Sequence, residues 1–185
     1  MISALVATID GREHWLERCL EALEKLADVE AVVEHNHPNW GTAMLAAAQR
    51  ASGDYLWLGS DDMEVVSFGD AIRYCDRGLL PAPRVLNTDG SLQSCGEWEV
   101  EQEEGSGYLF PRIPFATREQ FDQAGLLGIH YADVRFGTRG RELGFETVVC
   151  RSYEVVHHMA PEGRLDYQEQ EKIRRRTEAA LQRSA

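Results

Sequence analysis

Long hydrophobic runs, paired cysteines and an excess of positive charge are all missing from this sequence, and each absence removes a class of function. The apolar opening Ile2-Ser3-Ala4-Leu5-Val6-Ala7-Thr8-Ile9 lacks a positively charged leader and is far too short to span a bilayer. Neither an export signal nor an integral membrane segment is therefore expected. The cysteines, Cys19, Cys75, Cys95 and Cys150, are widely scattered, and none forms the close pair of a zinc knuckle or redox motif. Free thiols in a reducing cytoplasm are the simplest reading. Acidic residues outnumber basic ones by 31 to 19, leaving a net charge of −12 that repels a phosphate backbone. The longest basic run, Arg174-Arg175-Arg176, lies in a mixed-charge tail with Glu169, Glu171 and Glu178, so nucleic acid is not an expected partner. An acidic protein still binds an anionic small molecule when a divalent cation sits between the two. That combination makes a metal site the feature to seek.

What is present is enough for one domain: 185 residues, 43% of them hydrophobic, can bury a single core. Ile2 to Ile9 reads as a buried strand, followed by Trp15, Leu16, Cys19, Leu20, Leu23 and Leu26 at helical spacing. A short apolar run from Val29 to Val33, an alanine-rich helix from Thr42 to Ala51 and the strand Tyr55-Leu56-Trp57-Leu58 complete a β-α-β-α-β first half. This is the pattern of a parallel sheet covered by helices. A helix around Phe68 to Arg77 is broken by Pro81-Ala82-Pro83, and Asn87-Thr88-Asp89-Gly90 supplies the turn of a hairpin between residues 84–86 and 91–93. The acidic stretch Glu97 to Gly107 reads as a loop or hairpin tip. Thr117 and Gln120 form a capping box for a short helix; a further helix is expected from about Tyr131 to Leu143, then a strand from Phe145 to Cys150. The expected domain covers residues 1–164, with 165–185 an appended charged helix.

Aspartates just beyond a buried parallel strand point into the crevice where open α/β sheets bind ligands, and Asp61 and Asp62 stand there. Neighbouring carboxylates repel unless a cation neutralises them, and oxygen ligands suit Mg²⁺ or Mn²⁺ bridging to a diphosphate. Taken alone, such a pair is more often a solvated turn and helix cap.

The order of the flanking residues gives the pair its weight. Asn39-Trp40-Gly41, then Ala51-Ser52-Gly53-Asp54-Tyr55 leading into Ser60-Asp61-Asp62, resembles the family 2 glycosyltransferases of GT-A type. There an Asn-x-Gly turn and an Ala-x-Gly-Asp-Tyr strand precede the acidic metal motif. Arg84-Val85-Leu86-Asn87-Thr88-Asp89-Gly90-Ser91-Leu92-Gln93 is similar to a hairpin of the rhamnosyltransferase-like members. Tyr131-Ala132-Asp133-Val134 with Arg139 and Leu143-Gly144-Phe145 resembles the family's Glu-Asp-Val helix, and Tyr153 to His158 its terminal strand with a metal-binding histidine.

The resemblance spans residues 2 to 160 and implies a GT-A-like α/β fold, a mixed central sheet flanked by helices. It implies a nucleoside-diphosphate sugar as donor, a saccharide, lipid-linked glycan or protein as acceptor, and Mn²⁺ or Mg²⁺ as cofactor. Asp61, Asp62 and His157 become the metal ligands, with His158 as the alternative to His157 and Asp61 also placed against the donor. Asp133 becomes the general base, or a carboxylate held only by the helix N-terminus. Thr8, Asp10, Asn39, Gly41 and Arg139 fall at donor-binding positions, although turn formation by Asp10-Gly11 explains that pair equally well.

Two departures stand out. Ala132 replaces the usual acidic neighbour of the base, and the family's Asp-Asp-Gly-Ser nucleobase segment is missing, because Val33-Glu34-His35-Asn36-His37-Pro38 runs directly into Asn39. Glu34 or Asn36 is the available replacement, while His35-x-His37 reads as loop rather than as a metal chelate. The expected reaction is metal-dependent, inverting sugar transfer to a hydroxyl. The alternatives are a nucleotidyltransferase of related fold, for which Ile9-Asp10-Gly11-Arg12-Glu13 is a poor triphosphate loop, and a catalytically silent nucleotide-sugar-binding module.

Overall fold

The computed structural model describes residues 1–94, 113–126 and 132–158. Cys95, the acidic stretch from Glu97, Tyr131, the boundary at 164 and the tail 165–185 lie outside the described residues.

Strands β1 (Ile2–Thr8), β2 (Val29–His35) and β3 (Tyr55–Ser60) alternate with helices α1 (Glu13–Glu24) and α2 (Trp40–Arg50). After β3 come β4 (Met63–Ser67), α3 (Ala71–Cys75), β5 (Leu80–Leu86), β6 (Leu92–Ser94), β7 (Phe115–Thr117), α4 (Arg118–Ala124), α5 (Ala132–Glu142) and β8 (Thr147–His157). They form two four-stranded sheets, ordered β2-β1-β3-β7 and β4-β8-β5-β6. In the first, β1 runs parallel to β2 and β3, and β7 closes the edge antiparallel to β3. In the second, β8 runs parallel to β5 and antiparallel to β4.

Side-chain alternation divides the core. Ile2, Ala4, Val6 and Trp57 face α1 and the second sheet, packing with Cys19, Leu23, Val65, Phe115, Tyr153 and Val155. Leu5, Leu56 and Leu58 point the other way, against Met44 and Ala47 of α2 and Phe121 and Phe136 of α4 and α5. A buried side chain such as Phe115 contributes ~1.5–3 kcal/mol relative to exposure. Central strands covered on both faces explain why β1 and β3 read as continuous apolar runs.

Three expectations change in detail. Pro81 and Pro83 do not merely end a helix: they lie within β5, where Pro81 pairs with Val148 of β8 and the register shifts between Ala82 and Arg84, so the missing N–H of Pro83 falls at an irregularity of the ladder. The strand expected to end at Cys150 continues to His157 as one element. Finally, β4 and β7 are strands that no periodicity announced, being five and three residues long. The hairpin at Asn87–Gly90, the capping box at Thr117–Gln120 and the stop at Gly144, with φ 89°, occur where expected. Among the described residues no helix is long and apolar enough to cross a membrane.

Candidate active site

The carboxyl end of β3 delivers Asp61 and Asp62 into the seam between the two sheets. Ser60 pairs with Ala7, and the Asp61 backbone N–H donates to the Ala7 carbonyl at 3.1 Å, so the pair stands beside the end of β1. There the Thr8 hydroxyl donates to Asp61 Oδ2 at 2.5 Å. The chain then turns directly into β4, whose first residue, Met63, pairs with His157 at the end of β8. That ladder brings two segments almost a hundred residues apart to one point. His157 Nε2 lies 3.5 Å from Asp62 Oδ2, and the Ser60 hydroxyl donates to Asp62 Oδ1 at 2.6 Å.

Asp61, Asp62 and His157 are all buried, and the two carboxylates respond in opposite directions. Burial raises the Asp61 pKa above its ordinary value, against the opposing pull of Thr8 and Arg12. Burial acts on Asp62 too, but the hydrogen bonds and charge of His157, Ser60 and Arg12 outweigh it and hold that carboxyl below the usual range. The cluster reaches into the core: burial, then Asp61 and Asp62, push the Cys19 thiol up to about 12, so it stays protonated.

Arg12 fills the space between the acids. Its Nη2 is 2.5 Å from Asp61 Oδ1 and 3.1 Å from Asp62 Oδ2. Gln93 supports His157 from behind: the imidazole Nδ1 lies 3.1 Å from Gln93 Oε1, and Gln93 Nε2 donates to Asn87 Oδ1 at 3.2 Å. An amide oxygen accepts, so Nδ1 donates to Gln93, and this bond turns the Nε2 edge of the ring toward the Asp62 carboxylate. The donor set of two carboxylates and an imidazole fits Mn²⁺ or Mg²⁺ chemically. Among the described residues no three acidic, histidine or cysteine side chains already stand in metal-holding geometry, and Arg12 occupies the central position instead.

The structure therefore brings Thr8, Asp61, Asp62 and His157 together. His158 goes elsewhere: its Nε2 meets Glu64 at 2.7 Å and its ring packs 5.0 Å from that of Trp15, while Arg18 Nε also donates to Glu64. Asp10 lies at the exposed rim, where it exchanges hydrogen bonds of 3.0 and 2.9 Å with Asn36. Asn39 caps α2 through the Thr42 N–H at 2.9 Å, and Gly41 is buried in the first turn of that helix. Asp133 opens α5 and is half-buried; Ala132, in place of the family's acid, is fully buried in the core. Arg139 is an exposed residue of the last turn, paired with Glu142 at 2.7 Å. Glu34 binds His37 and Arg50 at 2.7 and 2.8 Å, and His35 is exposed.

Sequence reasoning missed Arg12 and Gln93 as parts of this cluster. Arg12 had a legible signal, because two adjacent buried acids need a resident cation and the turn leaving β1 ends on an arginine. Gln93 closes the hairpin motif, but only the sheet pairing reveals its target.

No protein-family model and no curated protein matches this chain. Solved structures do. The S. aureus TarS structure superposes with a TM-score of 0.61 at 13% identity, covering 87% of this chain and 37% of that one. The chain has the GT-A fold. A mannosyltransferase from Pyrobaculum calidifontis in complex with GDP-Man and Mn²⁺ gives 0.61 at 11% identity over 88% of this chain and 58% of its own. TarS 1-349 in complex with UDP-GlcNAc gives 0.60 at 12% identity over 93% and 64%. This GT-A domain thus spans between about a third and two thirds of the length of those proteins.

Proposed function

We propose that this chain transfers a sugar from a nucleoside-diphosphate sugar to an acceptor hydroxyl with inversion at the anomeric carbon. The observation that carries the reading is the convergence of Asp61, Asp62 and His157 at the carboxyl ends of β1 and β3 in a GT-A fold, the crevice in which such sheets hold nucleotides. The structural neighbours hold GDP-Man and UDP-GlcNAc, which agrees with this substrate class.

Asp61, Asp62 and His157 would hold Mn²⁺ or Mg²⁺, which when bound neutralises charge on the departing diphosphate. Thr8 keeps Asp61 oriented, and Gln93 fixes the tautomer of His157. Thr8, Asp10, Asn39, Gly41 and Arg139 are assigned to the donor side. Asp133 accepts the proton of the acceptor hydroxyl as its oxygen bonds to the anomeric carbon and the bond to the diphosphate oxygen breaks. One ionised carboxylate suffices for this step. The domain is assigned to residues 1–164, and the acceptor is a saccharide, lipid-linked glycan or protein.

A second reading, a silent nucleotide-sugar-binding module, is favoured by one feature: Glu34, a replacement for the missing nucleobase contact, is already engaged by His37 and Arg50. One experiment separates the readings. A panel of nucleoside-diphosphate sugars is tested with Mn²⁺ for thermal stabilisation and for product formation with mixed acceptors. A matching donor raises stability by ~2.7 kcal/mol at a hundredfold excess over its dissociation constant. Stabilisation with transfer supports the enzyme and stabilisation without transfer the silent module; no stabilisation by any donor removes both.

A further inference from the structure

Arg12 has no part in the transfer step described above, yet it lies at the centre of the acidic site. It follows the exposed Asp10-Gly11 turn, where Gly11 adopts φ 85°, and its side chain folds back until only 12% is exposed. Its Nη2 reaches Asp61 Oδ1 at 2.5 Å and Asp62 Oδ2 at 3.1 Å. A guanidinium is a delocalised cation, so this charge leaves the carboxylates only when the side chain moves. A divalent ion held by the same oxygens would sit at roughly 2.0–2.6 Å from them. Arg12 Nη2 stands within that distance of Asp61 Oδ1 and in ion-pair contact with Asp62 Oδ2. Both cations cannot occupy the place at once, for reasons of volume and of charge.

We propose that Arg12 is a resident counter-cation that competes with the divalent ion for Asp61 and Asp62, holding the metal-free site together and withdrawing when metal enters. This rests on the metal-site reading above. Charge accounting supports it: without a cation, two adjacent buried carboxylates would repel, and Arg12 is the cation that bridges both. The turn that carries Arg12 is exposed at Asp10, Gly11 and Glu13, so a withdrawing guanidinium has solvent to enter. The class of ligand admitted is a hard divalent cation, and the cost of admitting it is the loss of two charge-assisted contacts.

The test is a Mn²⁺ titration, followed by the paramagnetic resonance signal of the free ion, on the unaltered chain, Arg12→Gln and Arg12→Gln/Asp62→Asn, with thermal melts of each. Arg12→Gln is expected to bind Mn²⁺ roughly tenfold or more tightly, since a competing positive charge at contact distance is gone. Mn²⁺ should then raise its melting temperature more than it raises that of the unaltered chain. The double variant should lose the gain, locating the ion at these carboxylates. Equal or weaker Mn²⁺ affinity in Arg12→Gln, with Asp62→Asn still weakening it, overturns the proposal and leaves the metal site standing. Absence of Mn²⁺ binding in every form overturns the metal-site reading itself. Should Arg12→Gln be unfolded without metal, refolding on Mn²⁺ addition supports the competition, and failure to refold at millimolar Mn²⁺ overturns it.

Discussion

The backbone N–H of His158 donates to the Asp62 carbonyl at 2.9 Å, tying the end of β8 to the start of β4 at the residue whose carboxylate faces His157. Main-chain bonding therefore sets the separation of the two side chains before any ligand arrives. Sites built on strands in this way are more exact than sites on loops. The same tie sends the next histidine away, toward Glu64 and Trp15.

That geometry separates the two histidines experimentally. His157→Ala is expected to lower Mn²⁺ affinity by ~10-fold or more, while His158→Ala leaves Mn²⁺ affinity unchanged and lowers the melting temperature through loss of the Glu64 contact. Calorimetric titration of Mn²⁺ into both variants checks it. The opposite pattern would move the ligand assignment to His158.

Gln93 acts on the metal only through His157, as a positioning residue. Gln93→Leu removes the acceptor at Nδ1 while keeping the side chain's volume. Losing the hydrogen bond that orients a metal-binding imidazole typically costs ~10- to 100-fold in metal affinity. Gln93→Glu, which keeps an acceptor, should restore most of it. Titrations of Mn²⁺ into both variants decide the point, because a merely structural role would not distinguish them.

Much of this was readable before the fold was known, and the exceptions are physical. β1 and β3 are covered on both faces, so their apolar runs stand out, and Asp61 and Asp62 end such a run. His157 was reachable only through its collinear resemblance, since nothing local distinguishes it from His158. β4 was invisible because Met63-Glu64-Val65-Val66-Ser67 is too short for its alternation to exceed chance, yet it is the strand that brings β8 to the site. Arg12 looked like a turn residue because its partners are fifty residues away. Glycine at 53 shows the reverse case, a motif residue whose reason only the fold supplies.

A Cβ placed on Gly53 would stand 2.6 Å from Ser3 Oγ, 2.7 Å from Ser3 N and 2.9 Å from the Met1 carbonyl oxygen. Its N–H donates to Ser3 Oγ at 2.7 Å, and Glu30 gathers the Ser3 hydroxyl and the Ser52 N–H around the same turn. Gly53→Ala is thus expected to destabilise the domain by ~1–3 kcal/mol, without directly touching the acidic cluster. Chemical denaturation measures the loss. A variant as stable as the parent would contradict this account of the turn.

The opposed shifts of Asp61 and Asp62 set a pH dependence. For Asp62 burial is outweighed by His157, Ser60 and Arg12, so its folded-state pKa lies below the unfolded value of ~3.9. Its contribution is complete above that value and is lost as the pH falls through the folded pKa. For Asp61, burial dominates and the folded pKa is raised. The folded chain then takes up a proton first, and stability rises as the pH falls from the raised value toward ~3.9. Denaturant unfolding in the metal-free state between neutral pH and pH ~2 should show Asp62→Asn flattening the acid-side loss and Asp61→Asn removing the rise. Identical profiles for the two variants would contradict the assignment.

The last expectation concerns the proton. Asp133 lies in the first turn of α5, where backbone N–H groups and the helix dipole favour a carboxylate over a carboxylic acid. An acceptor hydroxyl would meet this carboxylate as the base that takes its proton. Asp133→Asn keeps the size and removes the proton acceptor. Turnover should fall by ~10²- to 10⁴-fold while donor and Mn²⁺ dissociation constants stay close to those of the parent. Asp62→Asn should instead weaken donor and Mn²⁺ binding together, because both depend on the one carboxylate cluster. The pair of variants, assayed by calorimetry and by product formation with the donor identified in the panel, separates base from ligand. Full transfer by Asp133→Asn would remove Asp133 from the mechanism and turn the search for the base toward residues outside α5.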